Sequence, residues 1–257
     1  MKNAYLRGFL TLINVTLVAL ISVSANAAPL TISAAASLNT VLKEIAQHYE
    51  KTQKNQQLAL NFAASGVLLQ QIARGAPVDL FISADQETMD RAENLQLIDS
   101  NTRQAFVHNR LVLITPTLGQ SNRPKTLAEL EQSSVQRIAI GNPQTVPAGR
   151  YAQQLLVEAS LFDVLESRLI YAENVRQVLD YVARGEVDVG FAYLSDAQTP
   201  AKRVRLEQIL ETPTKISYPL AIVSTSTKKQ QAKAFIRFLK TPEVSDILEK
   251  HGFLLAH

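Results

Sequence analysis

From Leu30 onward the apolar positions of the chain switch repeatedly between two spacings. Short, nearly continuous apolar runs, the mark of buried strands, alternate with segments in which apolar side chains recur every three or four positions, the mark of amphipathic helices. "LTIS" precedes a helix predicted over Leu38–Lys51, with Leu38, Val41, Leu42, Ile45 and Tyr49 on one stripe. "LALNFAAS" precedes the helix "GVLLQQIARG", and "VDLFISAD" precedes "QETMDRAENLQ". One long apolar run follows, "AFVHNRLVLITP", and then a polar break, "TLGQSNRPKT". The alternation resumes with "RIAIGNP", a helix opening at Arg150, "SRLIYAEN", the helix "VRQVLDYVARG" and "VDVGFAYL". "VRLEQIL", "ISYPLAIVSTS", a helix from about Gln230 to Leu239 and a short helical tail close the chain.

Repeated strand–helix units are the signature of an α/β fold with mostly parallel sheets. Two such modules follow one another without a Gly/Ser-rich linker, which predicts two lobes joined by crossing strands. The crossings are expected near Phe106–Ile114 and near Glu211–Ala221. Lobe 1 is then 28–106 with 216–257, and lobe 2 is 107–215.

The first residues obey a different rule. Lys2 and Arg7 precede the apolar stretch Gly8 to Val23, and Ala25-Asn26-Ala27 gives a small-x-small cleavage site. This is a secretory signal peptide over residues 1–27, cut after Ala27, and it predicts export to the periplasm. The apolar run is shorter than the ~20 residues of a spanning helix. The chain has no cysteine. That removes a lipid-anchoring thiol, disulfides, thiolate metal sites and cysteine nucleophiles together. Formal charge is +3 for the whole chain, and the two cations of the leader supply part of it. The remaining Lys and Arg are scattered without interleaved aromatics, so no nucleic-acid partner is expected.

Candidate chemistry gathers where strands end. Ala36-Ser37-Leu38, Ala64-Ser65-Gly66, Val146-Pro147-Ala148-Gly149 and Glu173-Asn174-Val175 each pass from strand to helix through small or polar residues, and Phe191-Ala192-Tyr193-Leu194-Ser195 ends a strand on a tyrosine. In open α/β sheets the carboxyl ends of strands face the ligand crevice. Helix N-termini there offer unpaired N–H groups and partial positive charge, an anion site without a charged side chain. Taken singly, Ser37 and Ser65 are equally N-caps, Val-Pro-Ala-Gly a turn, and Tyr193 a core aromatic. As a set, two junctions from the first module and three from the second suit an anion gripped between lobes.

Other groupings point elsewhere. Asp79, Asp85, Glu173 and Asp196 lie near strand ends, where a carboxylate cluster could hold a cation, but caps and hinge bonds are the plainer role. His48, His108, His251 and His257 lack metal-ligand spacing and suit surface positions. Arg150 and Arg176 read as helix-surface arginines, although Arg150 could add positive field. No nucleophile elbow, triad order, Walker loop or dinucleotide fingerprint is present, so an enzyme is not expected.

"AAASL" (34–38), "RGAPVDLFISAD" (74–85), "GNPQTVPAGRYA" (141–152), "AENVRQVL" (172–179) and "YPLAIV" (218–223) together resemble the periplasmic molybdate-binding proteins of bacterial ABC transporters, over essentially the whole chain after the leader. The resemblance implies a two-lobed, type II-like periplasmic binding-protein fold with an oxyanion in the cleft. It implies no cofactor, a monomer, molybdate or tungstate as ligand, and a membrane permease as transient partner. Carried over by motif, the ligand is held by the hydroxyls of Ser37, Ser65 and Tyr193 and by the N–H groups of Ser37, Ser65, Ala148 and Val175. Gly66 departs from the family, whose members often place Ser or Thr there, and so removes a second hydroxyl from that turn. A site made only of donors suits a fully deprotonated dianion and penalises hydrogen phosphate, whose proton would need an acceptor. Sulfate remains the alternative ligand. A ferric-ion binder, which would need clustered tyrosines, is the more distant one.

Overall fold

The computed structural model describes residues 28–53, 56–117, 123–198 and 203–256. The expected signal peptide and His257 lie outside the described residues. The strands, in chain order, are β1 (Leu30–Ala35), β2 (Leu58–Ala63), β3 (Leu80–Ile82), β4 (Gln104–Asn109), β5 (Leu111–Pro116), β6 (Ile138–Gly141), β7 (Leu169–Ala172), β8 (Val189–Tyr193), β9 (Val204–Leu210), β10 (Ile216–Ile222) and β11 (Leu254–Leu255). The helices are α1 (Asn39–Thr52), α2 (Ser65–Ala73), α3 (Gln86–Asn94), α4 (Pro147–Glu158), α5 (Phe162–Leu165), α6 (Val175–Ala183), α7 (Leu194–Ala197), α8 (Lys229–Phe238) and α9 (Pro242–Lys250).

Two sheets result. One has the order β11-β4-β10-β3-β1-β2, the other β7-β6-β8-β5-β9. The central strands read as unbroken apolar runs because helices cover both faces: Ile32, Ala34, Leu80 and Ile82 are fully buried in one core with Leu42 and Ile45 of α1. Each large aliphatic side chain so buried contributes ~1.5–3 kcal/mol relative to exposure.

Two expectations change, and one is placed more narrowly. First, the sheets are less parallel than the strand–helix alternation predicts. Of the nine strand pairings, four are parallel and five antiparallel among the described residues. The βαβ units give the parallel pairs. The segments that pass between sheets return antiparallel, β10 beside β3 and β4, and β5 beside β8 and β9. Second, the crossing expected near Phe106–Ile114 divides the apolar run from Ala105 to Pro116 into two strands in two sheets. The break falls at Arg110, whose N–H donates to Oδ1 of Asn109 at 2.9 Å. This local side-chain bond removes that N–H from any ladder. The chain changes sheet again between Leu210 and Ile216. Third, α4 begins at Pro147, three residues before Arg150, with proline at its first position. Proline is preset for that place because its missing N–H would have had no partner there.

Candidate functional site

Five strand-to-helix junctions meet at a small cavity of about 10 Å3 whose lining includes Ser37, Ser65, Ala148, Val175 and Tyr193. The first two come from the six-stranded sheet and the other three from the five-stranded one, as the sequence predicts. Ala35, Ala36, Ala64 and Ala84 fill the rest of one wall, so backbone is reached without a large side chain in the way.

The local geometry decides between cap and ligand donor. Ser65 is the first residue of α2, after Ala64 in extended conformation, and the end carries no side-chain cap. Ser37 lies inside a single 3-10 turn, Ala36–Leu38, which also lacks a side-chain cap. Neither serine is an N-cap. Val146 precedes α4 without capping it, which leaves Ala148 on an uncapped first turn. At α6, Asn174 accepts from the N–H groups of Arg176 (3.0 Å) and Gln177 (3.1 Å). Those are the second and third donors of the helix, so the Val175 N–H stays uncommitted to the cap. Four helix starts thus bring N–H groups that precede the first intrahelical hydrogen bond, and their partial positive ends converge.

The hydroxyls add to this. Ser65 Oγ accepts the Ala84 N–H at 3.0 Å, which turns its own hydrogen elsewhere. Tyr193 is 1% exposed, and its hydroxyl has no hydrogen-bond partner among the described residues. Burial, with Tyr218, Tyr151 and the carboxylates of Asp85 and Asp196 as lesser causes, pushes its pKa well above the ordinary value. It therefore keeps its proton and is a donor awaiting an acceptor. A buried polar group left unmet costs ~1–3 kcal/mol, and an oxyanion would meet it.

Among the described residues no Lys, Arg or His lines the cavity. The cations stand at its edge and tie the two halves together. The Arg150 guanidinium binds the Asp85 carboxylate through Nη2 and through Nε at 2.9 Å, and also donates to Thr88 Oγ1 at 2.7 Å. Only 11% of the Arg150 side chain and 5% of that of Asp85 are exposed. Arg150 is thus not a helix-surface arginine. Asp85 is a cap, accepting the Thr88 N–H at the start of α3, and a bridge as well. Arg176 is likewise no plain surface residue, reaching Thr40 Oγ1 across the junction at 3.2 Å. Gly66 N–H donates to the Thr145 carbonyl at 2.9 Å, and a Cβ at Gly66 would stand 2.8 Å from that oxygen. Its departure from the family pattern is therefore more than a lost hydroxyl, because the missing side chain lets two backbones touch.

The remaining sequence candidates are structural. Asp79 accepts from Thr31 N–H and Ser226 Oγ and pairs with Lys228. His251, 14% exposed in its side chain, bonds Glu44 at 2.6 Å and is not a surface residue. His48 bonds Glu243 on the outside of α1. Among the described residues no group of three or more His, Cys, Asp or Glu could hold a metal ion. Sequence reasoning missed Tyr218 and Asn109, which lie directly behind Ser37. Tyr218 stands inside a quoted motif, but nothing in one sequence pairs two residues 181 positions apart.

Known proteins resemble this chain over nearly all its described length. A family model, bacterial extracellular solute-binding protein, matches residues 30–254. YvgL of Bacillus subtilis (strain 168), which carries the provisional name of an ABC transporter substrate-binding lipoprotein, is 38% identical over 87% of this chain and 85% of its own. The molybdate-binding protein ModA of Escherichia coli (strain K12) is 36% identical over 88% of this chain and 89% of its own. The solved periplasmic molybdate-binding protein of Azotobacter vinelandii superposes with a TM-score of 0.76 at 25% identity, covering 89% of this chain and all of that one. Two mixed sheets with a donor-lined cavity at their junction are the periplasmic binding-protein architecture, and the chain belongs to the bacterial extracellular solute-binding protein family.

Proposed function

We propose that this chain is the substrate-binding component of an ABC importer, capturing molybdate, and tungstate as well, in the periplasm and passing it to a membrane permease. The observation that carries the reading is the buried Tyr193 hydroxyl, without a partner, beside a cavity where uncapped helix starts meet. Ser37, Ser65, Ala148, Val175 and Tyr193 can each donate into that space, and the phenol stays protonated. A tetrahedral dianion accepts from all of them, and hydrogen bonds to a charged acceptor are the stronger kind. Hydrogen phosphate would set its own proton against donors. The names of the relatives agree with this chemistry.

The two sheets mark the two lobes, with the hinge at Arg110 and at residues 211–215. A ligand that touches both lobes only when they are together favours the closed state by its differential affinity. Closure then presents the form that the permease recognises. The protein acts as a monomer after removal of residues 1–27, uses no cofactor and catalyses no reaction.

The test is a titration of ligand-stripped protein with molybdate, tungstate, sulfate and phosphate, read by melting temperature. At molybdate 100 times its dissociation constant the stabilisation is ~2.7 kcal/mol, a rise of roughly 5–10 °C for a chain of this size. Sulfate at equal concentration is expected to do much less. A shift with sulfate alone would reassign the ligand. No shift with any of the four would overturn the oxyanion reading.

A further inference from the structure

Behind Ser37, outside the cavity lining, lies a chain of buried polar groups whose hydrogen directions can be worked out. Asn109 ends β4, Tyr218 stands on β10 and Ser195 is on α7, and all three are at least nine-tenths buried. The Asn109 amide is fixed by its neighbour: Oδ1 accepts the Arg110 N–H at 2.9 Å. Its NH2 therefore faces inward, donating to Ser195 Oγ at 2.9 Å and to the Tyr218 hydroxyl at 3.3 Å. The Tyr218 hydroxyl lies 2.9 Å from Ser37 Oγ. Tyr218 has one hydrogen, and Ser37 Oγ is the acceptor in reach. Were Ser37 the donor instead, the phenol would accept twice and its own hydrogen would be left buried and unmet. Burial, first among the causes, raises the Tyr218 pKa well above its ordinary value, so the proton is retained.

We propose that Tyr218 is a positioning residue for the oxyanion site: by donating to Ser37 Oγ, and being held as a donor by Asn109, it turns the Ser37 hydrogen into the cavity and biases that hydroxyl towards donating to the ligand. This rests on the oxyanion reading above and deepens it, because it explains why the site discriminates against a protonated ligand. A free serine hydroxyl could rotate and accept the proton of hydrogen phosphate. With Tyr218 filling one of the two lone-pair positions on Oγ, the Ser37 hydrogen is turned toward the ligand, and accepting a ligand proton would mean turning it away again. Ser65 is held in the same sense by the Ala84 N–H, and Ser37 has no such backbone donor.

The experiment is a double-mutant cycle with Tyr218→Phe and Ser37→Ala, each protein stripped of ligand and titrated with molybdate and with phosphate by calorimetry. Phenylalanine keeps the edge-on ring contacts of Tyr218 with Tyr193 (5.6 Å between centroids) and Phe253 (5.8 Å). It leaves Asn109 bonded to Ser195. In the parent protein Tyr218→Phe is expected to weaken molybdate binding about fivefold to tenfold, the worth of about one hydrogen bond, and to weaken phosphate binding less, so that the ratio of the two affinities narrows. In the Ser37→Ala background the same change is expected to cost less than about twofold, because its only route to the ligand is gone. Equal losses in both backgrounds, or no loss in the parent, would overturn the proposal while leaving the oxyanion reading intact. A parent protein that binds none of the four oxyanions would overturn both. Should Tyr218→Phe fail to fold, Asn109→Ala, which releases the phenol from its fixed donor role, is carried through the same cycle with the same two criteria.

Discussion

Asp85→Asn separates two accounts of how charge acts at this site. The Asp85 carboxylate lies beside the oxyanion cavity, and Ala84 before it lines the wall. If proximity to a dianion were its main effect, removing its negative charge would tighten binding. If its main effect is to hold the lobes together through Arg150, removing it would loosen binding. The structure favours the second. Two guanidinium nitrogens meet the carboxylate and one of them also binds Thr88. Breaking a buried pair while one charge stays buried costs ~3–5 kcal/mol. Here the protein has an escape, because opening the cleft rehydrates Arg150. The observed cost is therefore capped by the opening free energy and falls nearer that of one charge-assisted hydrogen bond, about 2 kcal/mol. That corresponds to roughly a 30-fold weaker molybdate affinity.

Asparagine suits the perturbation because it still caps α3, where Asp85 accepts the Thr88 N–H at 3.2 Å. Lobe stability should thus survive, and the ligand-free melting temperature serves as the control. Calorimetry gives the dissociation constant, and small-angle scattering of the ligand-free protein gives its compactness. The expected result is a dissociation constant raised about 10- to 100-fold with a larger radius of gyration before ligand is added. Arg150→Gln should do the same, and the double variant should be little worse than either single one. Tighter binding by Asp85→Asn would refute the latch outright. So would an affinity within about twofold of the parent with unchanged scattering.

Three further outcomes follow from the same contacts. Tyr193→Phe should weaken molybdate binding ~10- to 100-fold without lowering the ligand-free melting temperature, since the lost hydroxyl has no protein partner; calorimetry and thermal unfolding check the two halves separately. Gly66→Ala should weaken binding by obstructing closure, because its Cβ would meet the Thr145 backbone, and scattering should show a more open ligand-free form. Glu44 has a pKa lowered below its ordinary 4.5, first by its bond to His251 and then by Lys250. A depressed carboxylate stabilises the fold above its unfolded pKa and loses that contribution as pH falls through the folded value. Between about pH 6 and pH 3 the parent should therefore lose melting temperature faster than Glu44→Gln, and parallel curves would show that the contact is energetically silent.

What the sequence disclosed, and what it hid, follows from the range of the physics involved. Ser37, Ser65, Ala148, Val175 and Tyr193 were legible because each junction carries a local signature, a strand period giving way to a helix period through small residues. Their convergence was legible only through a general rule of open sheets. A crossing near Phe106–Ile114 was legible from two modules joined without a linker, but its place at Arg110 was not, because that depends on one side chain, Asn109, taking a backbone donor that periodicity assigns to a ladder. Arg150 and Asp85 looked like a surface residue and a cap because their pairing spans 65 positions and two lobes. The hidden contacts share a purpose that the visible ones lack. On the proposed reading the visible residues offer donors to the ligand. The hidden ones fix which way those donors point, as Ala84 does for Ser65 and as we propose Tyr218 does for Ser37, and whether the two halves of the site stand together, as Arg150 and Gly66 do. A neutral site needs both. Without a cation to attract a dianion from any direction, its affinity rests on hydrogens aimed in advance, and aiming is the work of residues that never touch the ligand.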